Sequence, residues 1–296
     1  MPVTRRDWMR MASGAAIGAA LTGRVEADTG RTFCLFSKHL PELDWSALAR
    51  ATRDAGFGGV DLTVRPGGHV LPERAADDLP RAIDAIKAAG LSVPMITTDL
   101  TSAASPLARP LLLAAARSGV RFFKTGYWRY SDSPDVRAQV AATAAALEGL
   151  AGLARECGIE MGFHNHETYI GAALWDIAPV MDRLDPRWAG YYFDPRHAVA
   201  EGGAGAWKAA THLVSPRLKM VAVKDCVWAK AAQGWRIENC PLGEGLVDWA
   251  WVGNALNEAK FSGPISIHLE YQLPAGTSHT LKAASRDLAF ARRFLS

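Results

Sequence analysis

The feature that most constrains the fold is a regular alternation of short apolar, strand-like runs with longer runs whose apolar residues recur at helical spacing. Eight β-then-α units in about 265 residues match the parallel (β/α)8 barrel, or TIM barrel. The predicted strands are Thr32–Phe36, Gly59–Val64, Ser92–Thr97, Phe122–Gly126, Glu160–His164, Gly190–Asp194, Met220–Lys224 and Ile265–Glu270.

Amphipathic stretches between these runs carry helix start and stop signals. Asp44 and Asp248 stand where N-cap residues are expected, and Gly56, Gly90 and Gly158 stand where helices end. The predicted helices include Asp44–Ala55, Ala75–Ala89, Val136–Cys157, Trp175–Leu184 and Trp249–Lys260.

A doubly wound open sheet is the alternative architecture. No G-x-G-x-x-G sequence follows any predicted strand, so a dinucleotide site has no support. No linker, charge run or shift in composition divides the chain after the first 27 residues. We therefore expect one barrel domain over residues 28–296.

The first 27 residues resemble a twin-arginine export signal. Arg5 and Arg6 precede an uncharged run of small residues, 11–23, and Val25-Glu26-Ala27 has small residues where a signal peptidase cleaves. The run is too short to span a bilayer of about 30 Å, so no stable membrane insertion is expected after processing. The alternatives are an ordinary basic N-terminus and an uncleaved anchor. We expect removal of residues 1–27 and a periplasmic or otherwise exported protein.

Charge and cysteine content narrow the function classes. The formal net charge is +3, and the arginine-rich leader supplies most of it, so the remaining chain is close to neutral and offers no nucleic-acid surface. None of the four cysteines forms a C-x-x-C pair, which argues against a zinc finger or a dithiol redox site. Cys226 and Cys240 lie on one predicted loop, where either a disulfide or two free thiols would be consistent with the sequence.

Polar residues of metal-ligand and acid–base type follow five predicted strands. In a parallel barrel these ends converge at one mouth, where the chemistry of such folds takes place. Each residue taken alone could be a helix cap, a surface ion pair or a hydrogen-bonded loop residue. Because such residues follow five different strands that end at one mouth, the sequence predicts a site for a divalent ion such as Mn²⁺, Mg²⁺, Co²⁺ or Zn²⁺. The residues are Lys124, His164-Asn165-His166-Glu167, Asp194-Pro195-Arg196-His197, Lys224-Asp225 and His268-Leu269-Glu270-Tyr271.

Six short motifs in order carry a resemblance to a known family. They are Gly-Phe-Gly-Gly-Val-Asp-Leu at 56–62, His-Asn-His at 164–166, Phe-Asp-Pro-Arg-His-Ala at 193–198, Val-Lys-Asp at 223–225, Pro-Leu-Gly-Glu-Gly-Leu-Val-Asp-Trp at 241–249 and Gly-Pro-Ile-Ser-Ile-His-Leu-Glu-Tyr at 263–271. The chain resembles the xylose isomerase-like TIM barrel family of sugar phosphate isomerases and epimerases, especially its exported bacterial branch.

The resemblance implies a metal site with two departures. Family members bind one ion through a Glu on strand five, an Asp after strand six, a His on strand seven and a Glu ending strand eight. Asp194 and Glu270 match, whereas His164 stands in place of the first Glu and Ala222 in place of the His. Either the site is rebuilt from His164, Asp194 and Glu270, with His166 or Glu167 as a further candidate ligand, or the metal is lost and Lys124, Lys224 and the histidines bind an anionic or enediolate oxygen unaided.

The resemblance also implies the remaining roles. Glu270 is the expected general base, with Lys224 and His197 as further catalytic residues, in metal-assisted abstraction of a proton next to a carbonyl. The expected substrate-binding residues are His166, Glu167, Arg196, Lys124, Asp225 and Trp128.

The expected substrate is a small carbohydrate. Export argues for a free sugar, keto-sugar or glycoside rather than a phosphorylated intracellular one, and Trp128, Trp228 and Trp235 could stack on sugar rings. Isomerisation or epimerisation is the leading hypothesis. The alternatives are a lyase acting on a keto-sugar and a non-catalytic carbohydrate-binding barrel with a degraded metal site, which Ala222 favours. An endonuclease IV-like enzyme is disfavoured by the charge, and the sequence leaves open whether the chain forms a homo-oligomer.

Overall fold

The computed structural model describes residues 30–296, and the predicted export segment lies outside them. Eight parallel strands form a closed barrel, which confirms the predicted (β/α)8 architecture. The barrel strands are β1 (Phe33–Phe36), β2 (Gly59–Thr63), β3 (Ser92–Thr97), β4 (Phe122–Lys124), β5 (Glu160–His164), β6 (Ala189–Phe193), β7 (Leu218–Val223) and β10 (Ile265–Ile267). Their order around the barrel is β1-β10-β7-β6-β5-β4-β3-β2.

Helices surround this barrel, and two of them start at the N-cap residues predicted from the sequence. Asp44 and Asp248 each accept a hydrogen bond from a backbone N–H in the first turn, as expected. The helices are α1 (Trp45–Asp54), α2 (Ala75–Ala88), α3 (Ala108–Arg117), α4 (Val136–Cys157), α5 (Ala178–Met181), α6 (Pro195–Val214), α7 (Trp249–Glu258) and α8 (Thr277–Leu295). No helix between residues 30 and 296 is long and apolar enough to cross a membrane.

One predicted helix is much shorter than expected. The stretch Trp175–Leu184 forms only the four-residue α5, because Pro179 has no N–H to donate to a preceding turn and Leu174 has a positive φ of 57°. The predicted strand Ile265–Glu270 likewise ends early, at Ile267, so Glu270 lies on the loop that follows β10.

The barrel interior has an apolar floor below a polar mouth. Alternate residues of each strand point inward, and Met95, Phe122, Tyr192, Met220 and Ala222 form one buried cluster. The floor is tightly packed at Gly162, where a Cβ atom would lie 2.0 Å from Met220 Cε. Larger apolar side chains fill the layer between the strands and the helices.

The segment predicted as one loop after strand seven is an antiparallel hairpin of β8 (Asp225–Ala231) and β9 (Gly234–Cys240). Asp225 pairs with Cys240 and Cys226 with Asn239, so alternation places the two cysteines on opposite faces of the hairpin. All four cysteines are free thiols, and the disulfide considered for Cys226 and Cys240 is not formed.

Candidate active site

A cavity of about 90 Å³ opens at the C-terminal ends of the barrel strands, where the sequence predicted the site. Side chains from β1, β2, β3, β4, β5, β6, β7 and β10, or from the loops after them, meet there. The lining residues are Phe36, Lys38, Arg65, Thr97, Lys124, Tyr127, His164, His166, Tyr192, Lys224, His268 and Glu270.

The His-Asn-His motif divides its three side chains between two tasks. His164 and His166 line the cavity, as the alternation predicted, while Asn165 fixes the neighbouring strand end. Asn165 Nδ2 donates to the carbonyl oxygen of Asp194 at 3.0 Å, and the Asp194 N–H donates to Asn165 Oδ1 at 2.8 Å. The amide therefore sets the position of Asp194 relative to both histidines.

Asp194 is fully buried behind the cavity and caps α6. Its Oδ1 accepts the N–H of His197 at 3.1 Å, and its Oδ2 faces His164 Nε2 at 3.3 Å and Lys224 Nζ at 3.2 Å. Burial alone would raise the pKa of this carboxyl, but the nearby Lys224, with His197 and His164, holds it well below its ordinary value. Asp194 is thus an anion in the barrel interior.

Lys224 joins the two carboxylates of the site. Its side chain is 2% exposed, and Nζ lies 2.9 Å from Glu270 Oε2 as well as 3.2 Å from Asp194 Oδ2. Burial lowers the pKa of Lys224, whereas Asp194 and Glu270 raise it by more, so the net shift is upward. Because an ammonium has three N–H donors, one remains for a group in the cavity.

Glu270 receives a second ammonium at its other oxygen. Lys38 Nζ lies 2.9 Å from Oε1, and the Lys38 side chain is half-exposed. Burial raises the pKa of Glu270, but Lys224, then His268 and Lys38, hold it far below the ordinary value. Glu270 is therefore ionised at working pH and is a weak base while both ammonium groups remain in place.

Lys124 lies across the same cavity in a different environment. Its Nζ is 3.5 Å from the Thr98 carbonyl oxygen and 3.5 Å from the centroid of the Tyr127 ring. It has no carboxylate within 4.0 Å in the described part of the chain. Burial, reinforced by Arg65, holds the pKa of Lys124 well below its ordinary value.

Two histidines of the cavity are neutral, with differing hydrogen bonds. Burial lowers the pKa of His164 to about 3, and its Nδ1 lies 2.9 Å from the Tyr127 hydroxyl. Burial also lowers the pKa of His166, whose Nδ1 lies 3.0 Å from the carbonyl oxygen of Glu167. Since a carbonyl only accepts, Nδ1 of His166 carries the proton and Nε2 keeps a lone pair.

A buried hydrogen-bonded chain supports the cavity from below. The Tyr192 hydroxyl donates to Asp61 Oδ2 at 3.2 Å and lies 3.0 Å from His268 Nε2. Asp61 also accepts from Ser266 at 2.7 Å and Thr97 at 2.8 Å. Burial nevertheless raises the pKa of Asp61 to about 6, because the hydrogen bonds only partly offset the loss of water.

By ligand type and spacing, His164, Asp194 and His197 could hold a metal ion. Each offers a buried ligand atom, and these atoms lie within 4.8 Å of one another. This group contains His197, assigned to catalysis from the sequence, in place of Glu270. Two contacts oppose an ion there. Lys224 already directs its positive charge at Asp194 Oδ2.

The second contact concerns His197. Arg196 donates to His197 Nδ1 at 2.9 Å, so the proton of this neutral ring lies on Nε2, the nitrogen that faces Asp194 at 3.6 Å. A protonated nitrogen cannot ligate a metal, and ligating histidines instead donate from their other nitrogen. The donor set thus fits a divalent ion in spacing but not in charge or protonation.

Several residues predicted to bind substrate lie outside the cavity. Asp225 is fully buried and accepts hydrogen bonds from the backbone N–H groups of residues 226, 243 and 247 and from Trp249 Nε1, which makes it the anchor of the 241–249 loop. Arg196 forms an ion pair with Glu167 at 2.5 Å behind the site. Neither residue lines the cavity, because each is committed to partners within the protein.

The tryptophans predicted to stack on sugars also lie elsewhere. Trp128 packs against Phe163, with ring centroids 6.0 Å apart. Trp228 and Trp235 are exposed on the β8–β9 hairpin and do not line the cavity. The structure thus makes Trp128 a packing residue and places the other two on the surface.

Four residues of the site were not predicted from the sequence, namely Lys38, Arg65 and Tyr127, which line the cavity, and Asp61 beneath them. Lys38 and Arg65 follow β1 and β2 closely, and Tyr127 follows β4. All three would have been predicted if the residues that follow each of the eight strands had been considered. Asp61 lies inside β2, and an acidic residue within an apolar strand is a signal of its own.

Comparisons with known proteins agree with this architecture. A family model described as "Xylose isomerase-like TIM barrel" matches residues 49–294. The fold is similar to D-psicose 3-epimerase with D-tagatose from Clostridium cellulolyticum H10, with a TM-score of 0.72 and 13% identity over 90% of this chain and 99% of that one. No curated protein matches the chain in sequence.

Two further solved structures share the fold. One is the probable 3-DHS dehydratase from Bacillus anthracis, with a TM-score of 0.69 and 14% identity over 87% of this chain and 98% of that chain. The other is a xylose isomerase-like TIM barrel protein from Mycobacterium smegmatis in complex with magnesium, with a TM-score of 0.62 and 17% identity over 85% and 88% of the two chains. At these identities the similarity establishes the fold.

Proposed function

Since the chain belongs to the xylose isomerase-like TIM barrel family, we propose that it is an isomerase or epimerase that abstracts a proton next to the carbonyl of a free sugar or keto-sugar. The observation that carries the proposal is the cavity itself, where cationic donors and neutral or anionic proton acceptors meet at one barrel mouth. Structures of a sugar epimerase with the same fold support the substrate class.

The substrate oxygen is assigned to Lys224. Its remaining N–H donor is available to a carbonyl oxygen, and its buried positive charge stabilises the negative charge that develops there when the neighbouring carbon loses a proton. The negative charge that develops on the substrate oxygen offsets part of the positive charge of Lys224. Lys224 then lowers the pKa of Glu270 less, and Glu270 becomes more basic.

The proton is assigned to Glu270 and His166. Both line the cavity, and they follow β10 and β5, which are separated by β7 and β6 around the barrel. Epimerisation requires acid–base groups on two faces of one carbon. Glu270 is ionised and accepts the proton on one face, whereas His166, whose Nε2 has a free lone pair, has to take up a proton from solvent before it can deliver one to the opposite face.

The test is exchange of the α-carbon proton with D₂O, followed by NMR over a panel of ketohexoses, ketopentoses and 3-keto-glycosides. We expect exchange by the wild type and a loss of about 10²–10⁴-fold in Glu270→Gln. Glu148→Gln, at a half-exposed glutamate on α4, is the matched control. Loss of water from the substrate would assign a lyase, whereas binding of a sugar without exchange would favour the carbohydrate-binding alternative.

We also propose export by the twin-arginine route, on the strength of Arg5 and Arg6 and the small-residue run that follows them. Changing both arginines to lysine should retain the precursor in the cytoplasm, as measured by fractionation and immunoblotting. Unchanged export of that variant would refute the assignment.

A further inference from the structure

Two carboxylates of the site, Asp194 and Glu270, share one cation, the ammonium of Lys224. Lys224 Nζ lies at hydrogen-bond distance from Glu270 Oε2 and 3.2 Å from Asp194 Oδ2, with its side chain almost completely enclosed. A divalent ion bound by the same oxygens would have to lie about 2.0–2.6 Å from them, in the space next to Nζ. Two positive centres would then face each other without intervening water.

We propose that the ammonium of Lys224 is the resident cation of this site and that it excludes a divalent ion from Asp194 and Glu270. Its role toward a substrate oxygen rests on the function proposed above. The exclusion of an ion does not, because it follows from charge and position alone.

The surroundings of Lys224 support the exclusion. Ala222, the preceding inward-facing residue of β7, packs in the apolar floor with Met220 and Tyr192 and offers no further ligand atom. Two more basic side chains, Lys38 and Arg65, line the cavity. The site as a whole is therefore built around positive charge.

The hydrogen bond between Arg196 and His197, beside Asp194, also opposes a bound ion. Arg196 donates to His197 Nδ1, which leaves the proton on the nitrogen that faces Asp194. A ligand histidine would need the opposite arrangement. Both the lysine and the arginine would have to move before an ion could bind through Asp194 and His197.

The experiment measures metal binding directly. Full-length wild type and variants are dialysed against EDTA, then against MnCl₂ or ZnCl₂, and metal content and melting temperature are recorded. For the wild type we expect no stoichiometric metal and no saturable shift in melting temperature. Lys224→Ala should melt lower, bind about one ion and regain stability with added metal, because an ion now neutralises the two carboxylates.

Three controls fix the interpretation. Lys124→Ala removes a lysine from the same cavity but frees no carboxylate, so it should gain no metal site. Lys224→Arg keeps the positive charge and should stay metal-free. Adding Asp194→Asn to Lys224→Ala should abolish the gained site. A Lys224→Ala protein that takes up no metal in its folded form would contradict the proposal.

The metal content of the wild type tests the proposal even if Lys224→Ala fails to fold. One tightly bound ion per chain that is lost in Asp194→Asn would overturn the proposal, as would proton exchange that depends on added metal. A metal-free wild type that exchanges no proton of any sugar would leave the exclusion intact and refute the proposed function. In EDTA-treated protein, Lys224→Ala should slow exchange by about 10²–10³-fold if Lys224 stabilises the oxyanion.

Discussion

Lys124 and Lys224 are two fully buried lysines that line one cavity, yet their surroundings shift their pKa values in opposite directions. Lys224 faces two carboxylates and its pKa is raised in spite of burial. Lys124 faces a carbonyl oxygen and an aromatic ring, and burial lowers its pKa well below the ordinary value. The same side chain is thus a fixed charge on one side of the barrel mouth and tends to neutrality on the other.

The carboxylates show the same division. Asp194 and Glu270, beside Lys224, have pKa values far below the ordinary range. Asp61, on β2, accepts side-chain hydrogen bonds only from hydroxyl groups, and burial raises its pKa to about 6. Asp194 and Glu270, which contact Lys224, therefore favour the charged form, whereas Asp61, which is held by hydroxyl groups, favours the uncharged form. This is a suitable arrangement for moving a proton between a neutral substrate and an anionic intermediate.

The largest effect is expected from Lys224→Met. The substitution leaves the fully buried Asp194 without its ammonium partner and Glu270 with only the half-exposed Lys38. Removing one partner of a buried ion pair typically costs about 3–5 kcal/mol of folding free energy. Urea unfolding at pH 7 measures the loss. A variant as stable as the wild type would mean that the two carboxylates are not coupled through Lys224, and the comparison with Lys124 would fail.

Asp61→Asn should change how stability depends on pH. A carboxyl whose pKa is raised from 3.8 to about 6 binds its proton more tightly in the folded state, so its contribution to stability falls as pH rises between those values. About two pKa units correspond to about 3 kcal/mol. We expect the wild type to lose up to that amount relative to Asp61→Asn between about pH 4 and pH 6.5.

Urea unfolding across this range checks the prediction, with the exposed Asp54→Asn as control. Parallel curves for the wild type and Asp61→Asn would show that Asp61 keeps an ordinary pKa. The contrast between Asp61 and the two carboxylates beside Lys224 would then be wrong.

Lys124→Met should have the opposite sign to Lys224→Met. It replaces a buried amine that has no carboxylate partner by an apolar side chain of similar length, so we expect a gain of about 1 kcal/mol at pH 7. Lys282→Met, at an exposed lysine of α8, should change stability by less than about 0.5 kcal/mol. Equal destabilisation by Lys124→Met and Lys224→Met would remove the distinction between the two lysines.

The sequence predicts the barrel and most of the cavity for one physical reason. The strand period is two, and parallel strands end at one mouth, so the position of a residue near a strand end determines whether it faces the cavity. Lys124, His164, His166, Lys224 and Glu270 were found in this way. The rule requires no knowledge of side-chain partners.

The sequence could not predict which side chains of the site contact one another. The contact of Lys224 with Asp194 and Glu270 joins three strand ends that are far apart along the chain, and no local pattern encodes it. Asp225 carries the residue type of a site but accepts three hydrogen bonds from the 241–249 loop and one from the N–H of Cys226. The β8–β9 hairpin was likewise hidden, because the expected eight β-then-α units already accounted for the strand pattern.

The smallest stability effect is expected from Lys38→Ala. Lys38 contacts Glu270 Oε1 at 2.9 Å from a half-exposed position, where water screens the pair, so the loss should be below about 1 kcal/mol. The functional effect should be clearer, since removal of one of its two ammonium partners raises the pKa of Glu270. If Glu270 is the base, the rate of proton exchange should increase or its acidic limit should move to higher pH. Lys224→Ala is expected to slow exchange instead, so the comparison separates a cation that sets the pKa of Glu270 from one that binds the substrate oxygen. Equal losses in exchange rate in both variants would show that the two ammonium groups act alike.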